Sequence, residues 1–268
     1  MFLADCHTHS ICSPDGNVPM AQMAQKAYEY GLTTLCLTDH CDLLSLEGER
    51  TLEYDWTPVL EERKKMLDAV GTKIDLPLGI EFGMGFLFPE AASKILSQPG
   101  LDFVIGAAHN LSEEAGGRDF YFLPYETLDD CYKALDDYFQ SLMKLAAWDG
   151  YDVVAHIIYP LRYMKGNYPT PPDLSRYRDQ IREVLRLAIA SGRGIEINTW
   201  KGQTLTEWIP ILRDYKELGG EIITVGSDAH ATTPIARGIP QAYAIMQDCG
   251  FRYVAVYHER KPDMIRLK

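Results

Sequence analysis

The sequence predicts an α/β fold, a parallel sheet with helical crossovers. Three observations lead there. Short apolar runs alternate with amphipathic stretches that stop at glycine, the pattern of repeated strand–helix units. A chain of 268 residues suits an α/β barrel, which takes about 250. Residues of metal-binding type fall at the C-terminal ends of the apolar runs, where parallel α/β folds place their sites. No linker or low-complexity stretch divides the chain, so residues 1–268 read as one domain. Periodicity is the same for a closed barrel and an open doubly wound sheet, and it leaves that choice open.

The elements follow in order. Met1 to Ala4 is a short apolar run feeding Asp5-Cys6-His7-Thr8-His9. Side chains alternate faces along a strand, so Asp5, His7 and His9 are expected on one side, Cys6 and Thr8 on the other. Two imidazoles so placed can hold one metal ion. Ser13-Pro14-Asp15-Gly16 is a turn, and Pro19 opens a helix to Tyr30, stopped by Gly31. Thr34 to Thr38 is a buried strand ending in Asp39-His40, and residues 41–56 are acidic and irregular. A helix over 58–70 leads to a strand over 76–80, which ends at Glu81. Gly83-Met84-Gly85 lacks the third glycine and the following helix of a dinucleotide site. A short helix over 89–98 precedes a strand over 103–108 that ends at His109. A long helix from Pro124 or Tyr125 to Trp148 precedes a strand over 152–155 that ends at His156. A loop rich in Tyr and Pro then carries Arg162 and Lys165. Asp173 caps a helix to Ser191, and a strand over 194–197 ends at Asn198. A helix over 205–218 leads to a strand over 221–226 and to Ser227-Asp228-Ala229-His230. A last helix over 235–249 precedes a further strand over 253–256 and a polar tail.

Composition narrows the function. The net charge of −12 disfavours nonspecific nucleic-acid binding. It leaves an anionic substrate open, because bound metal ions reverse the local sign. No apolar stretch approaches the ~20 residues that span a bilayer, and no signal-peptide pattern opens the chain. Cysteines 6, 12, 36, 41, 131 and 249 form no CxxC pair, so reduced thiols in a cytoplasmic protein are expected.

The histidines decide the rest. His7, His9, His40, His109, His156 and His230 all fall at strand ends, with Glu81 and Asp228 in equivalent places, and only His258 lies outside the pattern. Taken singly, each is as readily a hydrogen-bonded rim residue. Together they predict a metal centre at one mouth of the sheet.

The ordered motifs Asp-x-His-x-His at 5–9, Thr-Asp-His at 38–40, Gly-Ile-Glu at 79–81, Ala-His at 108–109 and 155–156, and Ser-Asp-Ala-His at 227–230 resemble the polymerase-and-histidinol-phosphatase (PHP) superfamily. The length is similar to that of its stand-alone histidinol-phosphate phosphatases. The resemblance implies a distorted (β/α)7 barrel and three divalent metal ions of zinc, iron or manganese type. It implies His7, His9, Glu81 and Asp228 on the first metal, and Glu81, His109 and His156 on the second. Asp15, His40 and His230 fall to the third, with a turn-forming role as the alternative for Asp15. It also implies Arg162 as the phosphate-binding side chain; Lys165, Lys201 and Arg237, on expected rim loops, are weaker candidates from position alone. Asp5 is read as orienting an imidazole. Asp39 is read either as doing the same or as protonating the leaving group.

The activity so implied is hydrolysis of a small phosphate monoester, histidinol phosphate first, by a hydroxide bridging two metals. Asn198 is read as contacting substrate or water, or as ending its strand. Asp42, Glu47, Tyr54, Tyr121 and Tyr163 are candidates to receive the imidazole and amine of that substrate. Trp200-Lys201-Gly202 departs from the small residues the superfamily carries after Asn198. Alternatives are a phosphoesterase of nucleotides or oligonucleotide ends, a C–N hydrolase, and a structural metal protein. Glu81 stands where a C–N hydrolase carries a lysine, and ligands spread over many strand ends are unlike a closed structural site.

Overall fold

The computed structural model describes residues 2–164 and 170–268. Lys165 lies outside the described residues.

Seven parallel strands run in sequence order: β1 (Ala4–Thr8), β2 (Thr34–Asp42), β3 (Leu78–Gly83), β4 (Phe103–Ala107), β5 (Val153–Val154), β6 (Gly194–Asn198) and β7 (Ile223–Gly226). The sheet curls until its ends meet. Thr8 bridges Ala229 in parallel, the His9 N–H donates to the Ala229 carbonyl at 2.9 Å, and the Asp228 N–H donates to the His7 carbonyl at 2.9 Å. The choice left open by periodicity therefore falls to a nearly closed, distorted (β/α)7 barrel. Helices α1 (Met20–Glu29), α2 (Thr57–Val70), α3 (Pro89–Leu96), α4 (Leu128–Ala147), α5 (Arg178–Ala190), α6 (Trp208–Glu217) and α7 (Ile239–Asp248) connect the strands and surround them.

Period two sorts the strand side chains into two layers. Leu35, Leu37, Leu78, Ile80, Ile195, Ile197, Ile223 and Val225 face outward and pack with the helices. Helix α1 meets them with Met20, Met23, Ala24 and Ala27, a stripe of helical spacing. Cys36, Phe103, Ile105, Ala107, Val153 and Ala155 face inward. They are joined from below by Ala255, Val256 and Tyr257 of β8 (Tyr253–His258). The Phe103 and Tyr257 rings stack with centroids 4.8 Å apart. The lower barrel is thus filled with apolar side chains, and its upper half is left for polar ones.

Three expectations are corrected. The polar tail forms β9 (Lys261–Arg266), antiparallel to β8. Its Lys-Pro-Asp start hides the strand, because an exposed edge strand tolerates both charge and proline. The first strand begins at Ala4, and strict alternation fails inside it. Asp5 pairs with Leu35 but Thr8 with Leu37, so β1 carries one extra residue between them. The bulge puts His7 and His9 in the mouth and leaves Asp5 facing outward. Asp5 orients no imidazole: it accepts from Ser227 N (2.9 Å), Ser227 Oγ (2.6 Å) and Ala236 N (2.8 Å). It thereby pins the loop that carries Asp228 and His230. No helix among the described residues is long and apolar enough to cross a membrane.

Candidate metal centre

Glu81 is the hub of the upper barrel. It is the inward residue at the middle of β3, buried beneath the opening. Its Oε1 lies 2.6 Å from His156 Nε2 and 3.1 Å from His109 Nε2. Its Oε2 lies 3.0 Å from His40 Nδ1, 3.2 Å from His7 Nε2 and 3.6 Å from His9 Nε2. One carboxylate therefore turns each oxygen to a different set of imidazoles. Asp228 Oδ1 closes the other side, 3.4 Å from His9 Nε2 and 3.9 Å from His7 Nε2. Asp228 holds a left-handed backbone (φ 59°), which aspartate tolerates. At the rim, Asp15 Oδ2 lies 2.9 Å from His230 Nε2, and its Oδ1 3.8 Å from His40 Nε2.

Three distal ring nitrogens are tied down, while that of His156 has no partner. His7 Nδ1 donates to Glu196 Oε1 at 2.6 Å, His109 Nδ1 to Asp42 Oδ1 at 2.7 Å, and His9 Nδ1 to Ser13 Oγ at 3.0 Å. Ser13 Oγ in turn donates to Asp39 at 2.8 Å. Each bond orients its ring with Nε2 aimed at the centre. These residues fit divalent cations. His7 Nε2 and His9 Nε2 are 3.1 Å apart, and His109 Nε2 and His156 Nε2 3.4 Å, so ring nitrogens converge in pairs. His40 Nδ1 is buried without a hydrogen bond. Groups close enough to share an ion are His7–His9–Glu81, Glu81–His109–His156, His9–His40–His230 and His40–Asp42–His109. Imidazole with carboxylate suits zinc, iron or manganese.

The electrostatics agree. Burial works to lower the pKa of His40, but Glu81 and Asp42 prevail and push it up to about 9. Burial likewise opposes protonation of His7 and His109, and the carboxylates of Glu196, Glu81, Asp228 and Asp42 overcome it. His9, ringed by His40 and His230, is driven down to about 3 by burial and by those neighbours. His156 is also held below the ordinary histidine range, chiefly by burial, so the carboxylates favour positive charge at His7, His40 and His109 and not at every imidazole.

Beside this cluster, buried Arg162 donates from Nη1 to Asp228 Oδ2 at 2.8 Å, while its Nε has no partner. Asn198 Nδ2 donates to the same Asp228 oxygen and to Glu196 Oε1, both at 3.1 Å.

The expected ligands His7, His9, Asp15, His40, Glu81, His109, His156, Asp228 and His230 thus meet at one mouth. Asp39 is placed behind them. Its carboxylate is committed to Ser10 and Ser13, is buried, and reaches His9 only through Ser13, so it offers no proton to a leaving group. Asp42 orients His109 instead of waiting for substrate. Glu47 is exposed beside Arg118, Tyr54 packs near Trp56, and Tyr121 and Tyr163 stack edge to face. Arg237 is exposed, and Lys201 lies over Trp200. His258 sits at the opposite end of the barrel, between Asp75 and Asp263. The residue overlooked in the sequence is Glu196. Its signal is there: an acid inside the apolar run Gly194–Ile197, two positions before Asn198 and so on the same face.

A PHP domain model matches residues 5–200. The chain belongs to the PHP family. Asp228 and His230 lie beyond the matched segment, yet the barrel closure brings them to the same PHP mouth. Among similar proteins is the Lactococcus lactis histidinol-phosphatase, 24% identical over 266 residues and covering 97% of this chain and 96% of that protein. A Thermotoga maritima relative named "Probable histidinol-phosphatase" is 26% identical over 257 residues, 95% of each chain. The crystal structure of the Lactococcus lactis histidinol phosphate phosphatase, complexed with zinc, L-histidinol and phosphate, superposes with a TM-score of 0.83 at 24% identity, covering 97% of this PHP chain and 98% of that one.

Proposed function

We propose that the chain is a metal-dependent phosphatase that hydrolyses histidinol phosphate to histidinol and phosphate. One observation carries the chemistry: Glu81 presents separate oxygens to two sets of buried imidazoles, the arrangement of a carboxylate shared by two cations. The substrate comes from the relatives, which are named for it.

On this reading His7, His9, Glu81 and Asp228 hold one ion, and Glu81, His109 and His156 a second. Asp15, His40 and His230 hold a third. Divalent ions bound there supply acidified water and neutralise phosphoryl oxygens. The chain's own groups do the rest. Glu196, Asp42 and the Ser13–Asp39 pair keep the imidazoles of His7, His109 and His9 aimed. Arg162 binds the phosphoryl oxygens from the Asp228 side, because its guanidinium is buried, permanently charged and not saturated with protein acceptors. Burial of Glu81 and the imidazoles under the opening keeps bulk water from screening that charge.

The test is phosphate release from histidinol phosphate, nucleotides and sugar phosphates, with metal quantification on the same preparation. Preference for histidinol phosphate and close to three ions per chain are expected. Preference for a nucleotide would overturn the substrate. One ion per chain, with indifference to chelators, would overturn the cluster.

A further inference from the structure

Beyond β6 the chain makes an uncommon turn. Trp200, Lys201 and Gly202 take φ values of 45°, 56° and 82°, three left-handed residues in a row. Glycine adopts this freely, whereas a tryptophan and a lysine do so only when the surroundings insist. Here they do. The Trp200 N–H donates to Asn198 Oδ1 and the Lys201 N–H to the Ser227 carbonyl, both at 2.8 Å. The missing Cβ of Gly202 lets the Arg237 side chain and the Gly238 backbone close against it.

What the strained turn delivers is an indole over Arg162. The guanidinium carbon lies 4.2 Å from the Trp200 ring centroid and 5.3 Å from that of Tyr159. Lys201 Nζ stands 4.4 Å from the same indole. Aromatic faces hold a guanidinium by its plane and leave its N–H edge to acceptors. Asp228 is the competing acceptor. A guanidinium free to rotate would pair with both carboxylate oxygens of Asp228, taking Oδ1 from the imidazole side and its own edge from a phosphate.

We infer that Trp200 is a positioning residue, which sets the plane of Arg162 so that it keeps a single contact with Asp228 and leaves the rest of its N–H edge to a phosphate. The inference rests on Arg162 as the phosphate-binding group. The strain at residue 200 is then the cost of placing that ring, and the turn is more than a connection between β6 and α6.

The experiment is a set of variants of the metal-loaded protein: Trp200→Gly, Trp200→Phe, Arg162→Ala and Trp200→Gly/Arg162→Ala. Orthophosphate affinity by calorimetry, kcat/KM, metal content and Tm are measured on each. Trp200→Gly relieves the left-handed strain, so a Tm at or above wild type is expected. Orthophosphate affinity and kcat/KM should each fall ~30-fold, a modest misplacement of a key group. Trp200→Phe, which keeps a ring, should recover most of both. In the Arg162→Ala background, Trp200→Gly should change affinity less than ~2-fold, because coupled residues are not additive. Unchanged orthophosphate affinity in a folded Trp200→Gly protein would overturn the inference while leaving Arg162 in place, as would an equal loss without Arg162. Unchanged affinity in Arg162→Ala would overturn both.

Discussion

Both ends of the barrel carry buried carboxylates, and they differ in what answers the charge. At the lower end Asp152, fully buried, accepts from Val104 N (2.8 Å), Arg193 Nη1 (3.2 Å) and Arg260 Nε (2.5 Å). Asp102 accepts from Leu78 N and Glu259 N, and Asp75 meets His258. These acids fasten the turn between β8 and β9 to the strand starts, and protein cations and amides satisfy them. At the upper end Glu81 faces imidazoles, and Asp228 is shared between the imidazole of His9 and the guanidinium of Arg162. Carboxylates alone do not make a site. What distinguishes the two ends is the partner: arginines and backbone amides answer Asp152 and Asp102, whereas Glu81 is answered by imidazoles that can also hold a cation.

Four variants sharpen or break this contrast. Glu81→Gln should cost the most: losing several kcal/mol of charge stabilisation predicts a fall in kcat/KM of ~10³-fold or more. The folded protein should survive with a Tm near that of the metal-free wild type, read by calorimetry. A variant with wild-type activity would remove Glu81 from the centre.

Asp152→Ala should do the reverse. It strands two arginines and a strand amide, so a stability loss of about 3 kcal/mol is expected in denaturant titration, with kcat per folded molecule unchanged. A lost kcat at full folding would mean the two ends are not separable.

Glu196→Gln comes third. A carboxylate that orients a metal-binding imidazole is worth ~10–100-fold in metal affinity or activity, and the deficit should shrink as metal is added. Insensitivity to metal concentration would reassign Glu196 to packing.

His258→Gln should be smallest. Burial lowers the pKa of His258, but its hydrogen bonds to Asp75 and Asp263 outweigh that and raise it. A raised folded value means its contribution is complete below the ordinary histidine range and is lost as pH climbs through the raised value. The pair is exposed and screened, so no more than about 0.5 kcal/mol is at stake. Stability curves of wild type and variant should converge at alkaline pH; divergence there would refute the assignment.

The strand–helix alternation and the upper-mouth histidines could be read from the sequence because both are local. An apolar run announces its strand, and His109 or His156 sits where the run stops. Barrel closure could not be read, since it depends on Thr8 meeting Ala229 across the whole chain. Asp5 was misplaced because a bulge shifts the period by one residue and leaves no mark in composition. Glu196 and Asp42 were legible as acids near strand ends, but only distance shows that they serve His7 and His109. Strand β9 escaped because an exposed edge has no apolar signature. Asp39 looked like an acid beside a ligand in the text, and alternation along β2 turned it the other way.

The hairpin under the barrel has a consequence for traffic. With Phe103, Ile105 and Tyr257 filling the floor, the route in and the route out are the same doorway. On the proposed reaction, both products would leave past the histidines that the substrate passed on entry, and the one that departs last would compete with fresh substrate.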